Sequence, residues 1–298
     1  MINLILNQIS QLLPLLLIIL SLNTLIFLIA CYKTDNSIAD IFYSYGFVLS
    51  AFAAIILSKN IVWVKILMFT FILIWGKRLF WRIYIKNINK PEDFRYAKWR
   101  AQWLQKGKLY FYTRSYLQVF VLQGVIAFII MLPALYLLSS NISYEYVYDD
   151  LGYGDYTFSP DFLAIKNIYF FVLGIILWVT GFIFESVGDK QLDNFLKDKI
   201  RLAQEKIMTT GLWKYTRHPN YFGEACIWWG IFFITLGYVN NITSLVLIIS
   251  PLLITYLLRY VSGVPMLEKR WDNDVNPEVK SKWQEYKSKT PVMLPKFW

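Results

Sequence analysis

Seven apolar runs of about 20 residues recur along the chain, at 12–32, 38–58, 61–81, 115–138, 166–186, 221–238 and 242–262. A run of that length crosses the hydrocarbon core of a bilayer as a helix. Lipid offers the backbone no hydrogen-bonding partners, so helices or closed barrels are the available solutions, and unbroken apolar runs select helices. The expectation is an all-α, polytopic membrane protein with about seven transmembrane helices. It is expected to form one membrane domain over 1–298, with three helices and a basic loop in 12–114 and four helices with a C-terminal region in 115–298. The first run is longer than a signal peptide's apolar segment and has no basic stretch before it, so it reads as a helix of the mature chain.

Charge then orients the bundle. Residues 77–114 hold eleven Lys/Arg and two acids, 185–219 hold seven Lys/Arg, and the segment from Arg259 onward holds eight. Residues 139–164 hold Glu145, Asp149, Asp150, Asp155 and Asp161 and no base. With seven crossings the basic segments share one side. The excess of Lys/Arg marks that side as cytoplasmic, which puts the N-terminus outside and the C-terminus inside. The net charge of +10 is therefore a topology signal spread over loops. It is not a nucleic-acid-binding face. The localisation read from this is an integral, multi-pass protein of a bacterial inner membrane. Its partners are membrane lipids and a hydrophobic small molecule, and nothing in the sequence sets an oligomeric state. Two isolated cysteines and a single histidine offer no zinc or haem ligand set.

Between the runs, 86–114 reads as a turn at Lys90-Pro91 followed by a short amphipathic helix. Its Phe94, Trp99 and Trp103 suit a helix lying on the membrane surface. Residues 187–206 read as a charged extension of the fifth run. Residues 266–286 read as a helix ending before Pro291.

Polar residues inside such a chain carry its chemistry. In "GLWKYTRHPNYFGE", Pro219 suits the first turn of a helix. Asn220 stands beside that helix's free N–H groups, which can face an anion. Lys214 and Arg217 add cationic donors for phosphate. Glu224 lies one turn on from Asn220, and a carboxylate within a membrane helix is costly unless it serves a function. The plainer alternative is an interfacial cluster whose long side chains snorkel to water. In "FESVGDKQLDNF", Glu185 and Asp189 share a helical face. In "WGKRLFWRIYIKN", Arg78 and Arg82 do the same, followed by Asn87. Arg259 precedes Ser262-Gly263, Pro265 and Glu268. Asp40 and Tyr43 stand near the start of the second run, where Asp40 is either a catalytic acid or a helix cap. If the helices pack as a bundle, the cytoplasmic-side sets converge on a large anionic nucleotide, beside an apolar region suited to a lipid-like substrate.

These stretches, with "KPEDFRY" and "VSGVPMLEKRW…YKSKTPVMLP", resemble the bacterial branch of the steroid 5α-reductase-like membrane proteins, relatives of the sterol C14/C7 reductases. The resemblance runs from about Asp40 to Pro295. It implies NADPH as cofactor, held by Arg78, Asn87, Asp189, Lys206, Tyr215, Asn220, Glu224 and Arg259, with Arg217, His218, Tyr221 and Glu268 around them. It implies hydride transfer to a polarised C=C bond of a steroid-, sterol- or lipid-like substrate. Two positions depart from the family: Glu185 stands where it carries Asn, and Trp75 stands where it carries the tyrosine that polarises the substrate ketone. Proton delivery is then expected from Asp40, Tyr43 or water. Two rivals are an isoprenylcysteine carboxyl methyltransferase-like enzyme using S-adenosylmethionine, which shares an RHP-x-Y-x-G block, and a lipid-binding membrane protein without catalysis.

The charge pattern makes one direct prediction. In a background lacking Cys31 and Cys226, single cysteines at Ser140 and Lys280 should react with an impermeant thiol reagent from opposite sides of the membrane. Labelling from the same side would overturn the topology.

Overall fold

The computed structural model describes residues 2–58, 60–140, 165–198, 205–239 and 242–297, and every regular element among them is helical. The acidic stretch read as the outer loop lies almost wholly outside the described residues. Among the described residues, five segments are long and apolar enough to cross a membrane: Leu12–Lys33, Ile38–Ile56, Lys108–Ser139, Ile168–Lys197 and Ser244–Asp272. The other two expected runs are also helical, but the helix over the first, Trp63–Asn87, carries five cations and that over the second, Pro219–Tyr238, a polar first turn and many aromatics. The described chain divides into two compact units, 1–166 with 238–244, and 167–237 with 245–298.

The first unit is built from α1 (Ile2–Lys33), α2 (Ile38–Ile56), α3 (Trp63–Asn87), α4 (Phe94–Leu104), α5 (Lys108–Arg114) and α6 (Leu122–Ser139), with a π-helical turn at Ser115–Val121. Helix α2 packs against α1, α3 and α6. At its crossing with α3, an added Cβ on Gly76 would lie 2.5 Å from Val48 Cγ2 and 3.1 Å from the Ser44 carbonyl oxygen. Trp75, one residue earlier, is 1% exposed and meets Phe47 edge-on at 5.4 Å. Trp75, which stands where the resemblance places a tyrosine, thus occupies a packing position in this protein. Lys65 is fully buried, and its ammonium donates to the Ser58 hydroxyl, to the Asn60 carbonyl and side-chain oxygens, and to the Ser140 carbonyl at 2.7 Å. A buried cation needs such partners, and here they tie the end of α6 to the α2–α3 connection.

The segment after α3 latches the turn between α1 and α2. Arg100 grips Glu92 through Nε and Nη2, both at 2.8 Å, while Glu92 accepts from the Asn36 backbone N–H at 2.8 Å. The Asp93 N–H donates to Ser37 Oγ. Asp93 also caps α4 by accepting from the Arg95 N–H. The expected turn and short helix are present, but the aromatics do not face lipid as a set. Tyr96 and Trp103 are buried, and Trp99 packs with them against Ala30, Ala39, Phe111 and Phe120. Only Phe94 projects outward, 78% exposed. Holding α4 to the α1–α2 turn with ion pairs rotates its aromatic face into the protein.

The second unit comprises α7 (Ile168–Lys197), α8 (Pro219–Tyr238), α9 (Ile249–Tyr256), α10 (Val264–Asp272) and α11 (Pro277–Lys289), with a π-helical turn at Leu257–Val261. The helix expected over 266–286 is two helices. Asn276 accepts from the N–H groups of Glu278 and Val279, and Pro277 follows at the first helical position, so "NDVNP" restarts the helix. Helices α7 and α8 meet through glycines spaced by seven residues on both. An added Cβ on Gly174 would lie 2.7 Å from the Gly230 oxygen, on Gly181 2.5 Å from the Gly223 oxygen, and on Gly237 2.7 Å from the Phe171 nitrogen. Small residues let helix backbones approach where lipid provides no hydrophobic drive between helices. Seven residues is close to two helical turns, so the contact recurs along one face.

Since the atoms opposing these glycines are backbone, they cannot swing away. Gly223→Ala should destabilise the purified protein by about 1–3 kcal/mol, seen as a lower melting temperature in detergent. Parent-like melting would show that the helices part without cost.

Candidate functional site

The glycine contact sets the register of α7 on α8, and register brings the polar residues together. Near its end, Gly188 approaches the first turn of α8, with an added Cβ 3.1 Å from Pro219 Cγ and 3.4 Å from the Asn220 nitrogen. Glu185 and Asp189, on the same face of α7, are 3% and 2% exposed. Asn220 Nδ2 donates to Asp189 Oδ1 at 3.3 Å, and the Asn220 carboxamide oxygen is buried with no hydrogen-bond partner among the described residues. Glu224 is half-buried one turn further along. Two acids thus lie against a helix N-terminus, where the backbone dipoles favour negative charge, beside a carboxamide with an open acceptor.

The loop leading into α8 is fixed from both sides. Gly211 adopts φ 65°, and an added Cβ would meet the Gln191 side chain at 2.5 Å. Only glycine takes both that dihedral and that proximity without strain. The Leu212 N–H donates to Gln191 Oε1 and the Trp213 indole donates to the Gly188 carbonyl. From the other side, Arg217 donates through Nε to Glu268 Oε1 at 2.9 Å, through Nη2 to Glu268 Oε2 at 3.3 Å, and through Nη1 to the carbonyls of Lys287 and Thr290 at 3.0 and 2.6 Å. His218 Nε2 lies 2.9 Å from the same Glu268 oxygen. The His218 ring stacks on Tyr221 at 5.3 Å. The segment after α11 runs beside the loop: the Arg217 N–H donates to the Pro291 carbonyl, Thr216 Oγ1 to the Met293 carbonyl, and the Lys296 N–H to the Tyr215 carbonyl. The Tyr286 hydroxyl donates to the Trp213 carbonyl, and burial raises its pKa.

The sequence-predicted residues therefore fall into distinct settings. Asp189 and Asn220 touch. Arg217, His218 and Glu268 form a second, buried group, with Tyr221 half-buried against His218, and the Arg217 contacts make it an organiser of the loop. Tyr215 meets Phe297 at a 5.1 Å ring separation. Arg259 sits in the π-helical turn with its guanidinium 4.8 Å over the Tyr260 ring. Lys206 is exposed and, with Lys214, lines a cavity of about 660 Å³ shared with α11. Arg78 and Asn87 lie on α3 in the first unit, where Asn87 donates to the Ile83 carbonyl of its own helix. Tyr43 meets Phe47 edge-on. Asp40 is not the helix cap: Ser37 holds that place and Asp40 follows in the first turn. Its carboxylate accepts from Arg95 Nη2 at 2.7 Å and from the Tyr96 hydroxyl at 2.6 Å. The sequence reading missed the carbonyls of Thr290 and Pro291 and the Gln191 contact. "YKSKTPVMLP" was the available signal for the first two.

The Arg217–Glu268 pair is buried on both sides. Removing one partner leaves an uncompensated charge, so Glu268→Ala should cost about 3–5 kcal/mol of stability and lower the melting temperature sharply. An unchanged melting temperature would show that the loop is held without it.

A family model described as "Protein of unknown function (DUF1295)" matches residues 26–154 and 159–290. Neither the curated proteins nor the solved structures give a match. With nearly the whole chain covered, this protein belongs to the DUF1295 family, steroid 5α-reductase-like in general terms.

Proposed function

We propose that the protein is an NADPH-dependent reductase of the bacterial inner membrane, reducing a polarised C=C bond in a hydrophobic, lipid-like substrate. The observation that carries this reading is the Asn220 carboxamide: its nitrogen donates to Asp189 and its buried oxygen has no partner among the described residues. A buried acceptor left open is costly, and a carboxamide N–H of the nicotinamide type is a donor that completes it. The rest of the donor set fits the same ligand. Lys206 and Lys214 offer phosphate ligands at the 660 Å³ cavity, and Arg259 offers another. Asp189 and Glu224 are acceptors for hydroxyl or amide donors.

NADPH, when bound, supplies the hydride. The chain's part is orientation and electrostatic stabilisation of the oxygen on which negative charge develops. Arg217, His218 and Glu268 hold the loop that presents Asn220. Tyr43 or water is the favoured proton source, because the Asp40 carboxylate is engaged by Arg95 and Tyr96. With Trp75 buried against Phe47, ketone activation follows a different residue set from that of the steroid enzymes.

Titration of the purified protein should give tighter binding of NADPH than of S-adenosylmethionine. Asn220→Ala and Arg259→Ala should each weaken NADPH binding by about 1–3 kcal/mol. If both variants bind like the parent, or if S-adenosylmethionine binds and NADPH does not, the assignment is wrong.

A further inference from the structure

We infer that a crevice in the first unit receives the oxygen-bearing end of an open-chain lipid, with Gln123 as the residue that recognises the oxygen and Gly46 as the residue that leaves room for it. The choice of a conjugated carbonyl as that end rests on the reductase reading. The crevice lies among α1, α2 and α6, and Leu22, Phe47 and Met131 give it an apolar wall. Four polar side chains line it. Asn23 donates to the Ile19 carbonyl at 2.9 Å and Ser50 to the Gly46 carbonyl at 2.6 Å, each within its own helix. Tyr43 lines it as well. Gln123 is different: it stands in an apolar helix and makes no hydrogen bond to any described residue. A carboxamide in a lipid-crossing helix is unfavourable without a partner, and it offers both a donor and an acceptor to one.

Gly46 points the same way. A glycine weakens a helix interior, and elsewhere in this protein helical glycines have a packing reason, such as the backbone atoms under 3 Å from the α7–α8 positions. At Gly46 an added Cβ meets nothing within 4 Å. Helix packing does not require its smallness, and the space it leaves opens on the crevice. The whole crevice offers about 20 Å³, room for one water-sized group. A carbonyl at the end of a slender chain fits; a fused ring system does not. The width is held by the Thr24 and Tyr116 hydroxyls, 3.0 Å apart, and by Phe27 against Phe120, which fix α1 to the turn that leads into Gln123.

The test uses the full chain in lipid nanodiscs and a long-chain methyl enone carrying a diazirine and an alkyne. On irradiation, the probe should label peptides of α1, α2 and α6. The same enone without the diazirine should compete; hexadecane and progesterone should not. Gly46→Leu should fill the crevice and reduce labelling by about tenfold or more, with melting unchanged. Gln123→Leu should reduce it by about tenfold, the loss of one hydrogen bond in an apolar site. Should Gly46→Leu fail to fold, Gly46→Ala and Gln123→Leu carry the test. Undiminished labelling in the folded variants overturns the proposal. Equal competition by hexadecane overturns recognition of the oxygen, and equal competition by progesterone overturns the open-chain class. NADPH titration of the same samples separates the two readings: labelling intact without NADPH binding sinks the reductase and keeps the crevice, and the converse sinks the crevice alone.

Discussion

Backbone contact between α7 and α8 is the constraint on which the second unit depends. Three glycines on each helix, two turns apart, remove the side chains that would hold the helices apart. At that distance the register has little freedom, because sliding by one residue would set a Cβ against a carbonyl. Register in turn decides which residues of α7 face the start of α8. Glu185, Gly188 and Asp189 follow Gly174 and Gly181 along that face, so Asp189 meets Asn220 and Glu185 lies against Gly223 as a result of helix packing. The polar site needs no separate scaffold.

The first unit solves its version of the problem with charge. Beyond the close approach at Gly76, its connections are closed by ion pairs and buried donors: Glu92 with Arg100, Asp40 with Arg95, Lys65 with carbonyl oxygens. These residues look like membrane-surface anchors in a linear sequence. In the folded protein each closes a specific turn.

Helical class, the apolar segments and the break before Pro291 were legible because a single period and a few capping residues encode them. The pairing of Asn220 with Asp189 was half legible: each stood out as polar in an apolar setting, but their contact depends on glycine spacing, which reads as composition until two helices are aligned. The inward face of α4 was not legible. An amphipathic aromatic helix looks the same whether lipid or protein covers it, and distant ion pairs decided the matter. Arg217 read as a free phosphate ligand for a similar reason. Its acceptors, Glu268 and the carbonyls of Lys287 and Thr290, lie 51, 70 and 73 residues away.

That separation also bears on how the protein is made. Helix α8 is synthesised well before α10, α11 and the segment that follows them exist. Chains fold in the order they emerge, so the loop at the mouth of α8 must wait, with Arg217 and His218 lacking their partner, until Glu268 and then Pro291 have left the ribosome. Closure of that loop is therefore a late step of synthesis, because its acceptors are the last part of the chain to appear.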